Sequence, residues 1–233
     1  MNIEVPHRWD VSPDEARQIQ ESTRLRLETS GDFLLENIHT IAGVDNAYVK
    51  NKKGTYAYAV VVLLNYPDLK IIETHYAVQP VSFPYIPGLL FFREAPAVLD
   101  ACRQLSFAPD VFFFDAHGYA HPRRFGAASH LGVILNKPSI GCAKTRLIGI
   151  YQEPGPNFGD YSLLMDRDEV IGAAVRTRLK HSPLFVSIGH RLSLEAAVRI
   201  VLACCRENHF LPEPARLAHR LITSYTKPFR KQL

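Results

Sequence analysis

Two aspartates stand where a carboxylate is costly unless something meets it. Asp45 closes the apolar run Ile41-Ala42-Gly43-Val44-Asp45, and Asp115 ends Val111-Phe112-Phe113-Phe114-Asp115. A buried, unpaired carboxylate needs a cation or hydrogen-bond donors. Ligand groups of open α/β sheets gather at the carboxyl ends of strands, the place Asp115 takes. Each aspartate also has a plainer reading, as a residue that caps a turn through its own backbone. Glu94, after Phe91-Phe92-Arg93, is either a third ligand or an ordinary helix-surface glutamate. Three carboxylates from separate elements suit a hard divalent cation such as Mg²⁺, which takes oxygen ligands and keeps several waters. Two such ions roughly 3.5–4 Å apart activate water and stabilise the leaving oxygen of a phosphodiester.

Basic residues accompany the acids. Lys144 and Arg146 follow an apolar strand and are placed to hold a phosphate, while Arg123-Arg124 is either a second phosphate contact or a solvated pair. His117, His121 and His190 are candidates for proton transfer or for plain structural roles. Pro84 and Pro87 bracket a stiff loop that carries Tyr85 and Ile86.

The elements that must position these groups are legible from turns and periodicity. Ser12-Pro13-Asp14-Glu15 is a capping box with proline at the first helical position, and Gly31 is the natural stop of that helix. Strands are predicted over 40–49, 55–64 and 70–78. The turns between them, Lys50-Asn51-Lys52-Lys53-Gly54 and Asn65-Tyr66-Pro67-Asp68, mark an antiparallel meander. A helix is expected over 88–106, with a break at Pro96. The continuous apolar run 111–115 reads as a buried central strand. A helix over 127–135, strands over 139–143, 147–151, 170–177 and 184–188, a helix from Ser193 to about 206, and a last helix from Pro212-Glu213-Pro214 complete the order. A meander followed by alternating helices and strands predicts an α/β fold. Its mixed sheet, of ribonuclease-H-like type, has helices on both faces.

Composition narrows the class. The 233 residues are 47% hydrophobic and 21% charged, which is ordinary for a globular chain and unlike a disordered one. No stretch approaches the roughly 20 apolar residues of a membrane helix. No basic-then-apolar pattern opens the sequence, and the four cysteines lack metal-type spacing, so reduced thiols and a cytoplasmic protein are expected. Net charge is +4 but uneven: residues 1–120 carry −5 and residues 121–233 carry +9. That division is either a binding surface for an anionic polymer or uneven solvated charge.

The motifs, taken together, resemble the endonuclease V family. The resemblance rests on Ile41-Ala42-Gly43-Val44-Asp45, Pro84-Tyr85-Ile86-Pro87-Gly88-Leu89-Leu90, Phe92-Arg93-Glu94, the segment Asp115 to His121, and Pro122-Arg123-Arg124. Ala128-Ser129-His130-Leu131-Gly132, Ile140-Gly141-Cys142-Ala143-Lys144, Gly189-His190-Arg191 and Leu211-Pro212-Glu213-Pro214 continue it, in the family's order. It implies one domain over 1–233, with 1–31 as an N-terminal helical extension. It implies Mg²⁺ dependence, with Mn²⁺ as a substitute, and nicking at the second phosphodiester 3′ to a deaminated base, chiefly hypoxanthine. A 3′-hydroxyl and a 5′-phosphate would result, as in DNA repair. Asp45, Glu94 and Asp115 match the family's metal-binding acids, and Lys144 and His190 its basic positions near the reaction centre. Pro84-Tyr85-Ile86-Pro87 matches the wedge that enters the duplex. Ala116, His117 and Gly118, with Arg123 and Lys144, are the further nucleic-acid contacts expected. The partner is inosine-containing DNA or RNA, no membrane is involved, and a monomer is expected.

Three positions depart from the pattern. Ala116 stands where the family reads glycine, and its methyl either tightens the base pocket or weakens recognition. Ala215 replaces a usual threonine and His219 a usual acid in the last helix. Both are expected to matter little, as helix-start and surface changes. Two alternatives accompany the nuclease reading: an endoribonuclease for inosine in single-stranded RNA, and a non-catalytic inosine-binding protein.

Overall fold

Ser12 and Glu15 close the expected capping box. Ser12 Oγ accepts from the Glu15 amide at 3.3 Å, and Glu15 Oε2 accepts from the Ser12 amide at 2.7 Å. They open α1 (Pro13–Arg24). The helix ends earlier than Gly31, because residues 28–31 pair with a distant segment instead. The Arg191 amide donates to Glu28 O at 2.7 Å and the Ser193 amide to Gly31 O at 2.9 Å. Gly31 is needed for that close approach, since a Cβ there would lie 2.6 Å from Arg191 O. The computed structural model describes residues 1–31, 34–207 and 209–230.

The meander forms as predicted from β1 (Thr40–Asn51), β2 (Gly54–Asn65) and β3 (Ile71–Pro80). Next, α2 (Phe91–Arg103) runs unbroken through Pro96, contrary to the expected break. The proline forfeits one backbone bond, while a buried face that includes Phe91, Phe92, Ala95, Val98, Leu99 and Cys102 holds the helix to the sheet. The strand β4 (Val111–Phe114), the helix α3 (Ala127–Leu135) and the strand β5 (Ser139–Ala143) follow as predicted.

The remaining strands are β6 (Tyr161–Asp166), β7 (Glu169–Val175) and β8 (Leu184–His190). The strand expected over 147–151 is reduced to a single bridge, Ile150 to Met165. Its partner β6 is an edge strand that the sequence pattern did not show. Tyr161 and Leu163 point to solvent at 50% and 46% exposure while Leu164 is fully buried, so little apolar periodicity marks it. Ser193 caps α4 (Leu194–Ala203), its Oγ accepting from the Ala196 amide at 3.1 Å, and α5 (Glu213–Arg230) is the last element.

One eight-stranded sheet results, in the order β3-β2-β1-β4-β5-β8-β7-β6. The pairs β1–β4 and β4–β5 are parallel and the rest antiparallel. On one face α4 and α5 bury Ile200, Val201, Leu217 and Ile222 against Ile41, Val62 and Val186. On the other, α2 and α3 bury Leu99 and Leu131 against Ala42, Val44 and Phe112. The mixed sheet with helices on both faces is thus the architecture predicted from the sequence.

Two details of this sheet build the site. The parallel pairing of β1 with β4 ends at Val44–Phe114, and β1 runs on for seven residues beside β2 alone. The Asp115 amide donates to Val44 O at 3.3 Å, so Asp45 and Asp115 emerge side by side where β4 stops. Meanwhile α5 rests directly on β1 at Gly43, where a Cβ would lie 2.0 Å from Pro214 O. That contact brings the next turns of α5 over Asp45.

Candidate active site

Asp45 is 7% exposed. Its Oδ1 accepts from the Asn46 amide at 2.7 Å, and its Oδ2 accepts from His219 Nδ1 at 2.9 Å. Asp115 Oδ2 forms an ion pair with Lys144 Nζ and lies 4.0 Å from His219 Nδ1. Lys144 Nζ is itself 3.4 Å from His219 Nδ1. Burial raises the Asp45 carboxyl above its ordinary range, and the neighbouring charge of Asp115 pushes it the same way. Ligand-type atoms of Asp45, Asp115 and His219 all lie within 4.8 Å of one another. Two repelling carboxylates and an imidazole so close make a donor set that a divalent cation would satisfy.

Glu94 approaches from α2, and its Oε1 accepts from Tyr48 Oη at 3.2 Å. Burial pushes its carboxyl up to about 7. With Asp115 it lines a cavity of about 450 Å³ at the carboxyl ends of β4 and β5. Tyr85, Ile86, Pro87 and Gly88 form one wall of this cavity, Ala116 and His117 another, and Ala143, Lys144 and Thr145 a third. Tyr85 stands at its edge, 70% exposed. It is therefore a surface residue and not part of the core.

The loop between Asp115 and α3 is tightly determined. A Cβ at Gly118 would lie 2.1 Å from Ile188 O, and one at Gly141 would lie 2.5 Å from Ala116 O. Ala116 is not among the residues with positive φ, so its alanine introduces no backbone strain. His117 Nε2 donates to Thr145 O at 2.9 Å, which leaves Nδ1 as a buried acceptor without a partner. Burial lowers the pKa of His117 and pulls that of His121 down to about 4, so both rings are neutral near pH 7.

Other basic residues take different places from those expected. Arg123 donates to Gly88 O at 2.7 Å and also holds Gln20, so it braces the Tyr85 loop instead of standing free for a phosphate. Arg124 pairs with Asp166 and Glu169, both at 2.7 Å. His190 does not join the site. Antiparallel pairing of β8 with β5 sets it opposite Ser139, a full strand length from Ala143 and Lys144. It is 2% exposed, accepts from the Glu28 amide at 3.2 Å, and burial holds its pKa down to about 4.

His219 is the residue that sequence reasoning undervalued. Far from being a neutral surface change, it touches Asp45 and approaches Asp115. The signal was its position one turn after Ala215, beside the buried stripe Ala215, Ala218, Ile222 and Thr226.

The sequence profile described as Endonuclease V matches residues 21–220. The chain belongs to the endonuclease V family. An endonuclease V from Methanothrix thermoacetophila is 48% identical over 222 residues, 95% of each chain. One from a Nostoc species is 45% identical over 224 residues, 96% of this chain and 100% of that one. Among solved structures, endonuclease V of Bacillus subtilis superposes with a TM-score of 0.95 at 31% identity, covering 100% of both chains. The catalytic domain of human endonuclease V gives 0.84 at 29% identity, covering 92% of this chain and 96% of that one. Endonuclease V of Ciona intestinalis, solved with a 24-nucleotide DNA containing an inosine followed by a ribo-adenosine, gives 0.78 at 31%, covering 92% and 98%. Membership of the endonuclease V family indicates a nuclease. No helix among the described residues is long and apolar enough to cross a membrane.

Proposed function

We propose that this chain nicks DNA at the second phosphodiester 3′ to deoxyinosine, leaving a 3′-hydroxyl and a 5′-phosphate, as a cytoplasmic DNA-repair enzyme acting as a monomer. One observation carries the reading: Asp45, Asp115 and His219 converge within 4.8 Å beside a cavity whose rim bears Tyr85. Asp45 and Asp115, with His219 and with Glu94 behind them, would hold Mg²⁺, for which Mn²⁺ substitutes. Such a cation supplies an activated water and charge neutralisation at the scissile phosphate.

The chain's own residues do the rest. Lys144, held against Asp115, keeps an ammonium where a phosphate oxygen would approach the carboxylates. The cavity, with the neutral His117 in its wall, receives the displaced base. Pro84 and Pro87 fix the loop, Arg123 holds it by donating to the Gly88 carbonyl, and Tyr85 then presents an aromatic face at little entropic cost.

Loss of that ring removes stacking worth ~1–3 kcal/mol per base. Tyr85→Ala is therefore expected to weaken binding to an inosine duplex by roughly 5- to 150-fold. Single-turnover cleavage of bound substrate changes less, and Tyr85→Phe is much milder. Titrations in Ca²⁺ at matched salt check this, and equal affinities of wild type and Tyr85→Ala contradict it.

The activity itself is tested by nicking of end-labelled strands that carry inosine or guanosine at one position. The DNA in the Ciona complex has a ribo-adenosine after its inosine. The series therefore includes DNA and RNA strands of one sequence. The expected product is a single nick, only in the inosine strands. Preference for the RNA strand would move the substrate to inosine in RNA, and indifference to inosine would overturn the reading.

A further inference from the structure

A second basic feature lies outside the site, in the half of the sequence that is otherwise acidic. Three of the four lysines in residues 1–120 sit at the tip of the β1–β2 hairpin, Lys50 near the end of β1 and Lys52 and Lys53 in the turn. No acidic residue occurs between Tyr48 and Tyr66. All three lysines are exposed, and none forms an ion pair among the described residues. Lys70, the fourth, does have an acid beside it, Asp68 at 3.5 Å. The turn is a built one, with the Lys53 amide donating to Asn51 Oδ1 at 2.8 Å.

Behind the lysines lies a hollow of about 550 Å³, with Tyr58 and Phe229 in its wall. Tyr58 meets Phe229 at 5.5 Å and Tyr225 at 5.9 Å between ring centroids. Phe229 and Tyr225 keep 39% and 37% of their surface in solvent. Unpaired cations beside open aromatic faces are the combination that takes a phosphodiester strand, through phosphate contacts and base stacking.

Topology relates this hollow to the active site. Side chains alternate along β1, so Asp45, Ala47, Val49 and Asn51 share a face. Asp45 meets α5 at His219, and Val49 lines the hollow that α5 reaches with Phe229. Asn51 lies six residues beyond Asp45, about 20 Å along the strand, or about six base steps of a duplex.

We propose that Lys50, Lys52 and Lys53, with Tyr58 and Phe229, form a distal subsite for the flanking strand of the nucleic acid held in the active site. The proposal rests on the inosine-nuclease reading, and names where a longer substrate gains affinity. It implies a length dependence. A short duplex that ends near the lesion meets only the cavity, and a longer one also reaches the hairpin.

The test compares the wild type with Lys50→Ala/Lys52→Ala/Lys53→Ala on inosine duplexes. One has short flanks, and two others are extended by about ten base pairs on the 5′ or the 3′ side. Affinity is measured in Ca²⁺ across a salt series. In the wild type, one of the extended duplexes binds more tightly than the short one. In the variant, the ratio of long- to short-duplex affinity falls toward one. Its salt slope on that long duplex drops by about 0.9 for each phosphate that a lysine no longer neutralises, or about 2.7 for three. Between 50 and 200 mM salt that amounts to about a 40-fold difference in how affinity declines. An unchanged length ratio and slope in a variant that still nicks inosine strands overturns the distal subsite alone. A wild type that does not discriminate inosine overturns the underlying reading, whatever the lysines do.

Discussion

Asp115→Ala and Asp45→Ala are each expected to lower single-turnover nicking of an inosine strand by at least about a thousandfold, with the fold intact. Neither carboxylate holds the core together. Asp115 lies just beyond β4, and Asp45 makes its bonds to its own neighbour amide and to His219, which is half exposed. Removing either leaves two donors of the Asp45–Asp115–His219 group, too few to define a cation site. A bound cation contributes several kcal/mol at the transition state, and each ~1.4 kcal/mol is tenfold in rate. His219→Ala belongs with them but is milder, because both carboxylates remain. Thermal unfolding beside the rate measurement separates lost chemistry from lost structure. Wild-type nicking by either aspartate variant contradicts the assignment.

Glu94→Gln is expected to act in opposite directions on activity and on the stability of the cation-free protein. Burial raises the Glu94 carboxyl to about 7, from an unfolded value near 4.5. Between those two pH values the folded chain holds a proton that the unfolded chain has released. Stability therefore falls as pH rises through this window. Above pH 7 the cost is about 3 kcal/mol, and glutamine, which still accepts from Tyr48, does not incur it. Urea unfolding in chelator should show Glu94→Gln and wild type alike near pH 4, and the variant more stable at pH 8. Nicking by the variant should be severely reduced, since an amide is a poor ligand for Mg²⁺ beside two carboxylates. A stability difference that does not grow with pH contradicts the buried-carboxylate account.

The two aspartates were legible because a carboxylate in a strongly apolar run demands a partner, and because β4 ends where its apolar run does. The meander was legible from its turns. His219 was harder to read, because the apolar stripe of α5 shows which face of the helix packs but not that it docks onto Gly43 and so over Asp45, a tertiary fact. His190 was misplaced for a related reason. Its place near the reaction centre came from the resemblance, but only the antiparallel pairing of β8 with β5 decides which end of the sheet it occupies. Arg123 illustrates a third limit. In the pair Arg123-Arg124 the sequence leaves a phosphate contact open, until the carbonyl of Gly88 is seen to occupy Arg123. The edge strand β6 escaped because half of it faces water, so its apolar residues show no dependable period.

A divalent-cation titration of nicking tests most directly whether Asp45 and Asp115 hold a catalytic cation. Purified protein is stripped with chelator and given a duplex with one inosine, with the label placed to map the cut. No cleavage is expected in chelator, and Mg²⁺ or Mn²⁺ should restore it. One nick is expected, at the second phosphodiester 3′ to the inosine, with no restoration in Asp115→Ala at any Mg²⁺ concentration. Full nicking in chelator, or equal restoration of Asp115→Ala, would contradict the cation role.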